Sequence, residues 1–129
     1  LPTTEALVAY VKYLAGCDQP YKMLGYDYWS EKPYKYINHF IYGIKDAMNL
    51  KNDQMTFYMQ HKKIDEKHGA DVENIMLNVC KLDEEWEAVR ETAYTSLNLA
   101  GLMIMQIIEE YKKLAEGKSS KYEFLNELL

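Results

Sequence analysis

The sequence predicts an all-α fold, a single helical bundle over residues 1–129. Three observations predict it. Apolar residues recur at steps of three and four along most of the chain, the spacing of one helix face. Most of the six Gly and three Pro residues fall where that spacing breaks off, as helix ends require. No run alternates apolar and polar residues as a half-buried strand would. A chain of 129 residues suits one domain, and folding should bury roughly two-thirds of the unfolded surface, so no disulfide or metal is needed for stability.

Taken in order, Thr3 or Thr4 is placed to cap a first helix reaching Ala15, with Leu7, Val8, Val11 and Leu14 on its apolar side and Gly16 ending it. Asp18 ahead of Pro20 predicts a short helix to about Glu31. Pro33 opens another through Met48, with Tyr34, Ile37, Ile41 and Ile44 on one side. Asp53 caps a fourth from Gln54 to His68, which Gly69 bends or breaks before a continuation through Cys80. Asp83, Glu84, Glu85 and Glu87 form an acidic first turn that complements the dipole of the longest helix, which reaches Ala115 and is closed by Gly117. Between Leu97 and Ile108 this helix is apolar almost all round, so its middle should be enclosed by neighbours. In the tail, Tyr122, Phe124, Leu125 and Leu128 are spaced to dock as a last turn or two.

Composition excludes several classes of function. Fifteen basic against twenty acidic side chains give a net charge of −5, and no Lys/Arg block compensates for it, which argues against a protein that tracks nucleic-acid phosphates. The run from Leu97 to Ile108 is interrupted by Asn98 and Gln106 and is shorter than the ~20 residues of a membrane span. Cys17 and Cys80 have no CxxC or zinc-type spacing and read as reduced thiols of a cytoplasmic protein. No GxSxG, P-loop or dinucleotide glycine pattern is found. The chain opens Leu1-Pro2-Thr3-Thr4 without an initiator Met or signal-peptide pattern, as a trimmed protein, a separate subunit or a piece of a longer one would.

The segment that carries chemistry is Phe57 to Gly69. His61, Asp65 and His68 stand at i, i+4 and i+7, on one helix face within two turns. Tyr58 precedes them on that face and Val72, Ile75 and Val79 follow, whereas Lys62, Lys63, Glu66 and Lys67 occupy the other sides. The three ionisable groups therefore lie in line with an apolar stripe. A carboxylate buried beside two imidazoles needs compensation, which a divalent metal provides. Two His and one carboxylate suit iron or manganese with open positions, and the lack of a nearby cysteine disfavours a structural zinc or iron–sulfur centre. The spacing alone equally fits an exposed polar helix, or an Asp–His pair with no metal. On the helix before, Glu31 shares a stripe with Tyr21, Leu24 and Tyr28; it is either an inward acid of the kind that builds two-metal sites in bundles, or a cap ahead of Pro33. Asp27 is expected to face solvent or bond a neighbour.

The HxxxDxxHG core within residues 57–69 resembles the C-terminal metal motif of the heme-oxygenase-like diiron oxidases and oxygenases, relatives in fold of thiaminase II and the PQQ-synthesis oxidase. Glu31, in Gly25-Tyr26-Asp27-Tyr28-Trp29-Ser30-Glu31, matches in position and context a bridging Glu of that family. The resemblance implies a heme-oxygenase-like bundle in which iron, two ions in a complete site and one possible here, activates dioxygen to oxidise a small organic substrate. It assigns metal ligation to Glu31, His61, Asp65 and His68. Such proteins run to about twice this length, so this chain resembles their second half. The Glu and His contributed by the first half have no counterpart here, which implies pairing with a missing N-terminal half or a homo-oligomer. An exposed apolar surface is expected wherever that partner docks. The alternatives are a non-catalytic ligand-binding or oligomerising module of the same fold, and a cofactor-free enzyme.

Three further residues are candidates beside the ligands. Tyr28 and Tyr58 each precede a proposed ligand by three positions and are placed to hydrogen-bond it or to line a substrate pocket. His39, among Ile37, Phe40 and Ile41, reads as a core or half-buried histidine, with substrate contact as its alternative role. The remaining tyrosines and the seven methionines read as packing.

Overall fold

The computed structural model describes residues 1–32, 34–118 and 120–124, with the side chains of all of these except residues 34–37 and 57–66. The described residues fold into five α-helices: α1 (Pro2–Gly16), α2 (Met23–Glu31), α3 (Tyr34–Ala47), α4 (Thr56–Val79) and α5 (Asp83–Ala115). Short 3-10 turns, Pro20–Lys22 and Asn52–Met55, lead into α2 and α4. Among the described residues there is no strand, and no helix is long and apolar enough to cross a membrane.

The helix ends follow from local hydrogen bonding, at several places by a different device from the one the sequence suggests. Thr3 does not cap α1; its N–H and hydroxyl donate to the Gln106 carboxamide oxygen at 3.2 and 2.5 Å, tying the start of α1 to α5. Gln106, a break in the apolar run, is thus spent on a tie between helices. The helix predicted from Asp18 is a 3-10 turn that passes directly into α2, because Lys22 and Met23 both hold helical dihedrals. Asn49, with φ 51°, ends α3: the Leu50 N–H donates to the Lys45 carbonyl and the Asn49 N–H to the Asp46 carbonyl, the paired bonds of a Schellman cap. Gly117, with φ 65°, ends α5 in the same way. Glu85 reaches back to accept from the Lys81 and Leu82 N–H groups at 2.7 and 2.9 Å, and these bonds hold its carboxyl below the usual range.

Packing centres on α2, which lies against both α4 and α5, while α1 packs along α5. Met76, Cys80 and Val89 form a buried cluster, and Tyr21, Leu24, Tyr28, Val72 and Trp86 pack against it. Burial pushes the Cys80 thiol above its ordinary value, consistent with an inert packing role. Two helices approach closely at Gly25, where an added Cβ would lie 2.2 Å from the Val89 carbonyl oxygen and 2.9 Å from the Ala93 nitrogen. One turn on, Trp29 Nε1 donates to Ser96 Oγ at 2.6 Å, and that hydroxyl donates to the Thr92 carbonyl at 2.7 Å, so fully buried Ser96 is satisfied in both directions.

Two expectations are corrected. Gly69 does not break α4, which runs continuously through it. The middle of α5 is not enclosed: Leu97, Leu102, Ile104, Met105, Ile107 and Ile108 are all exposed. One face of α5 packs on α1 and α2, as buried Val89, Thr92 and Ser96 show, and no described element covers the other. In the tail, Tyr122 lines a cavity of about 270 Å³ with Leu1, Ile107, Tyr111 and Leu114, whereas Phe124 is exposed. Leu125 and Leu128 lie outside the described residues.

Gly25→Ala sets a helix-propensity gain of about 1 kcal/mol against a clash with backbone that has no rotamer to yield. The clash should win, lowering stability by about 2–3 kcal/mol and Tm by roughly 10 °C in a thermal melt. Gly43→Ala in α3, where a Cβ meets nothing within 4 Å, should stabilise by about 0.5–1 kcal/mol. Equal effects at the two positions would show that the α2–α5 approach is not tight.

Candidate metal centre

The last turn of α2 and the middle of α4 meet through two adjacent residues of α2. The Lys32 side chain, just past the helix end, lies across Gly69, its Cε, Cδ and Cγ atoms 3.2–3.6 Å from where a Cβ would stand. Its ammonium reaches Glu73 Oε1 at 2.5 Å and sits 5.6 Å from the centre of the Tyr28 ring. Gly69 thus serves as the bed of a lysine stem. Beside this clamp, Glu31 Oε2 lies 3.3 Å from His68 Nδ1. A carboxylate and an imidazole separated by 37 positions in sequence are brought to ligand spacing by two different helices.

The proposed seam on α4 lies at the edge of the helix contact rather than at its centre. Its buried positions are Gly69, Met76 and Cys80, with Val72 half-buried; Ile75 and Val79, expected to face the core, are about half exposed. The reason is register. α2 rests on the line 69–72–76, which turns the neighbouring line 68–75–79 toward solvent. The His68 side chain is accordingly 51% exposed, and that of Glu31 29%. His61 and Asp65 occupy helical backbone seven and three residues before His68, and their side chains, like that of Tyr58, lie outside the described residues. Among the described residues no three His, Cys, Asp or Glu side chains converge; the pair brought together is Glu31 and His68.

The other candidates fall as follows. Tyr28 is half-buried against the Met76–Cys80–Val89 cluster, with Lys32 over its ring. His39 is exposed on α3 rather than half-buried, because α3 turns Ile41 inward and leaves Phe40 exposed beside it. Two features were not anticipated. The Lys32–Glu73 clamp has no signature in periodicity, since both residues read as surface charges. Asp27, expected to face solvent or bond a neighbour, is half-buried, and its carboxyl is pushed above the ordinary 3.8 by burial and, secondarily, by the negative charge of Glu31 one turn on.

A family model described as iron-containing redox enzyme matches residues 1–101. The chain belongs to this iron-containing redox enzyme family. It is also similar to a solved structure from Shewanella denitrificans OS217, described as a domain of unknown function with a heme oxygenase-like fold. The two are 34% identical, with a TM-score of 0.87 over 92% of this chain and 51% of that one. The chain therefore spans about half the length of that neighbour. No curated protein matches it. The all-α, heme-oxygenase-like bundle expected from the sequence is the fold the chain adopts. For this iron-containing redox family, a carboxylate oxygen and an imidazole nitrogen at 3.3 Å are the donor types that ferrous or ferric iron accepts.

A carboxyl whose folded-state pKa lies above its unfolded value costs stability when ionised. That cost is present at neutral pH and disappears as pH falls through the folded value. Asp27→Asn should therefore raise the Tm of the metal-free protein at pH 7 by a few degrees, with the gain fading as pH is lowered toward 3.8. Melts across that pH range check it, and a gain independent of pH would show that the ionised carboxyl is not what costs stability.

Proposed function

We propose that this chain holds iron through Glu31, His61, Asp65 and His68 and takes part in the oxidation of a small organic substrate by dioxygen. The observation that carries the reading is the 3.3 Å approach of Glu31 to His68 from separate helices. It joins an acid that would otherwise be a helix end to the HxxxDxxH register of one uninterrupted helix. Membership of an iron-containing redox family supports iron as the metal. The match to about half of a longer chain supports a two-iron site whose remaining ligands come from outside these residues, with one ion held here.

Each residue has a task that its chemistry suits. Glu31 supplies negative charge that offsets the cation. His68 offers a ring nitrogen, a donor type that iron accepts beside a carboxylate. Asp65 and His61, one and two turns up the helix, complete a face of oxygen and nitrogen donors. Lys32, held on Glu73, fixes the end of α2 and hence the position of Glu31. Bound ferrous iron supplies the one-electron chemistry that lets dioxygen react with a closed-shell organic molecule.

Asp65→Ala and Glu31→Gln should each weaken iron binding by at least ~10-fold, the lower end of what loss of even an outer-shell partner costs. Elemental analysis after anaerobic ferrous loading and desalting reads the loss, and circular dichroism confirms that the helices persist. Glu73→Gln, which removes the clamp but no ligand, should bind iron more strongly than either variant. Full iron content in Asp65→Ala would remove the assignment.

A further inference from the structure

Lys32 directly follows Glu31 at the end of α2, and the two side chains reach α4 at neighbouring points, Glu31 at His68 and Lys32 across Gly69. The Glu31 carboxylate and the negative end of the α2 dipole attract any cation near them, an ammonium as readily as a metal ion. A lysine next to a proposed ligand is therefore a competitor for the same place. Its four-carbon stem is flexible enough to turn there, yet in this structure it is led away. The Lys32 backbone N–H donates to the Tyr28 carbonyl at 3.1 Å. From that fixed point the stem runs over the bare backbone of Gly69, where an added Cβ would stand 3.2 Å from Lys32 Cε. The ammonium ends on Glu73 Oε1 at 2.5 Å, with the Tyr28 ring centre 5.6 Å away. Glu73 stands five residues beyond His68, about 7.5 Å along α4.

We propose that Glu73 is a positioning residue of the metal centre: it draws the Lys32 ammonium along α4 and so keeps the Glu31 carboxylate open to iron. The inference rests on the reading of Glu31 and His68 as iron ligands. Without the Glu73 charge, the ammonium turns to the carboxylate beside it in the chain, where it occupies an oxygen and repels an incoming cation. Gly69 makes the route passable, since any side chain at that position would stand in the path of the stem. This role differs from that of a strut. A strut between α2 and α4 needs both partners, and losing either one does the same harm. Here Glu73 matters to the metal only because Lys32 is charged, so removing the ammonium removes the need for Glu73.

The test is a ferrous titration without oxygen, in competition with a coloured chelator, on the unmodified chain and a small set of variants. Circular dichroism checks that each keeps its helices. Glu73→Gln should weaken iron binding about three- to fivefold, the size of a charge interaction between partly exposed groups. Glu73→Asp, which keeps the charge, should restore it. Lys32→Met, which leaves an apolar stem on Gly69 and removes the charge, should bind iron at least as tightly as the unmodified chain. Lys32→Met with Glu73→Gln should match Lys32→Met alone. Equal losses in Lys32→Met and Glu73→Gln would make the pair a strut and overturn the proposal. So would a Glu73→Gln loss of the same size with and without the ammonium, since Glu73 would then act as a distant charge. Asp65→Ala in the same titration separates the two readings. If it loses iron while Glu73→Gln does not, the proposal fails and the ligand assignment stands; if it keeps iron, the ligand assignment itself fails.

Discussion

The approach of α2 to α5 at Gly25 constrains everything else in this domain. α2 has nine residues and, by itself, no claim to stability as a helix. It persists because its backbone seats against Val89 and Ala93 with no side chain between them, and because Trp29 reaches across to a buried hydroxyl one turn later. These contacts fix both the height of α2 along α5 and its rotation about its own axis. Once rotation is fixed, the residues on its other side have no freedom of direction. Leu24 and Tyr28 go to the cluster shared with α4, and Glu31 and Lys32 come out at the middle of α4.

Two kinds of contact then divide the work at that junction. The Lys32–Glu73 pair is partly exposed on both sides, so its Coulombic gain is small in water and is not what holds the helices together. Its effect is positional: the lysine stem lies along the glycine groove of α4 and prevents the end of α2 from sliding. The Glu31–His68 contact next to it is also partly open to water. Full burial would force one or both groups neutral. At 29% and 51% side-chain exposure, Glu31 and His68 both stay solvated.

Most of the architecture could be read from the sequence because helix ends and periodicity are local. Gly117 and the acidic start of α5 act over four or five residues, and the structure places them as read. The errors arose where a residue's task depends on another helix. Thr3 looked like a cap and is a tie to Gln106. Gly69 looked like a hinge and is a bed for Lys32. Periodicity turns the α4 stripe inward, yet two adjacent lines of that helix have the same period, and only the position of α2 decides which is buried. Glu31 and His68 could be paired from sequence because the motif and an upstream acid shared a helix-face logic. Asp27 could not be placed, since its burial comes from the packing of α2 and not from its neighbours in the chain.

The same register that exposes His68 also exposes Ile75 and Val79, seven and eleven residues further along α4. α5 repeats the situation on a larger scale, with one face packed and one open. An all-α domain gains stability by closing apolar faces on one another, and the described residues leave one face of α5 open. A line of proposed ligands that runs into an open apolar line on one helix ties two properties together. Whatever shields Ile75 and Val79 from water also lowers the dielectric around His68, strengthens its attraction to a cation, and sets which further groups can reach it. The covering of this face of α4 therefore sets both the electrostatics at His68 and the closure of the domain's surface.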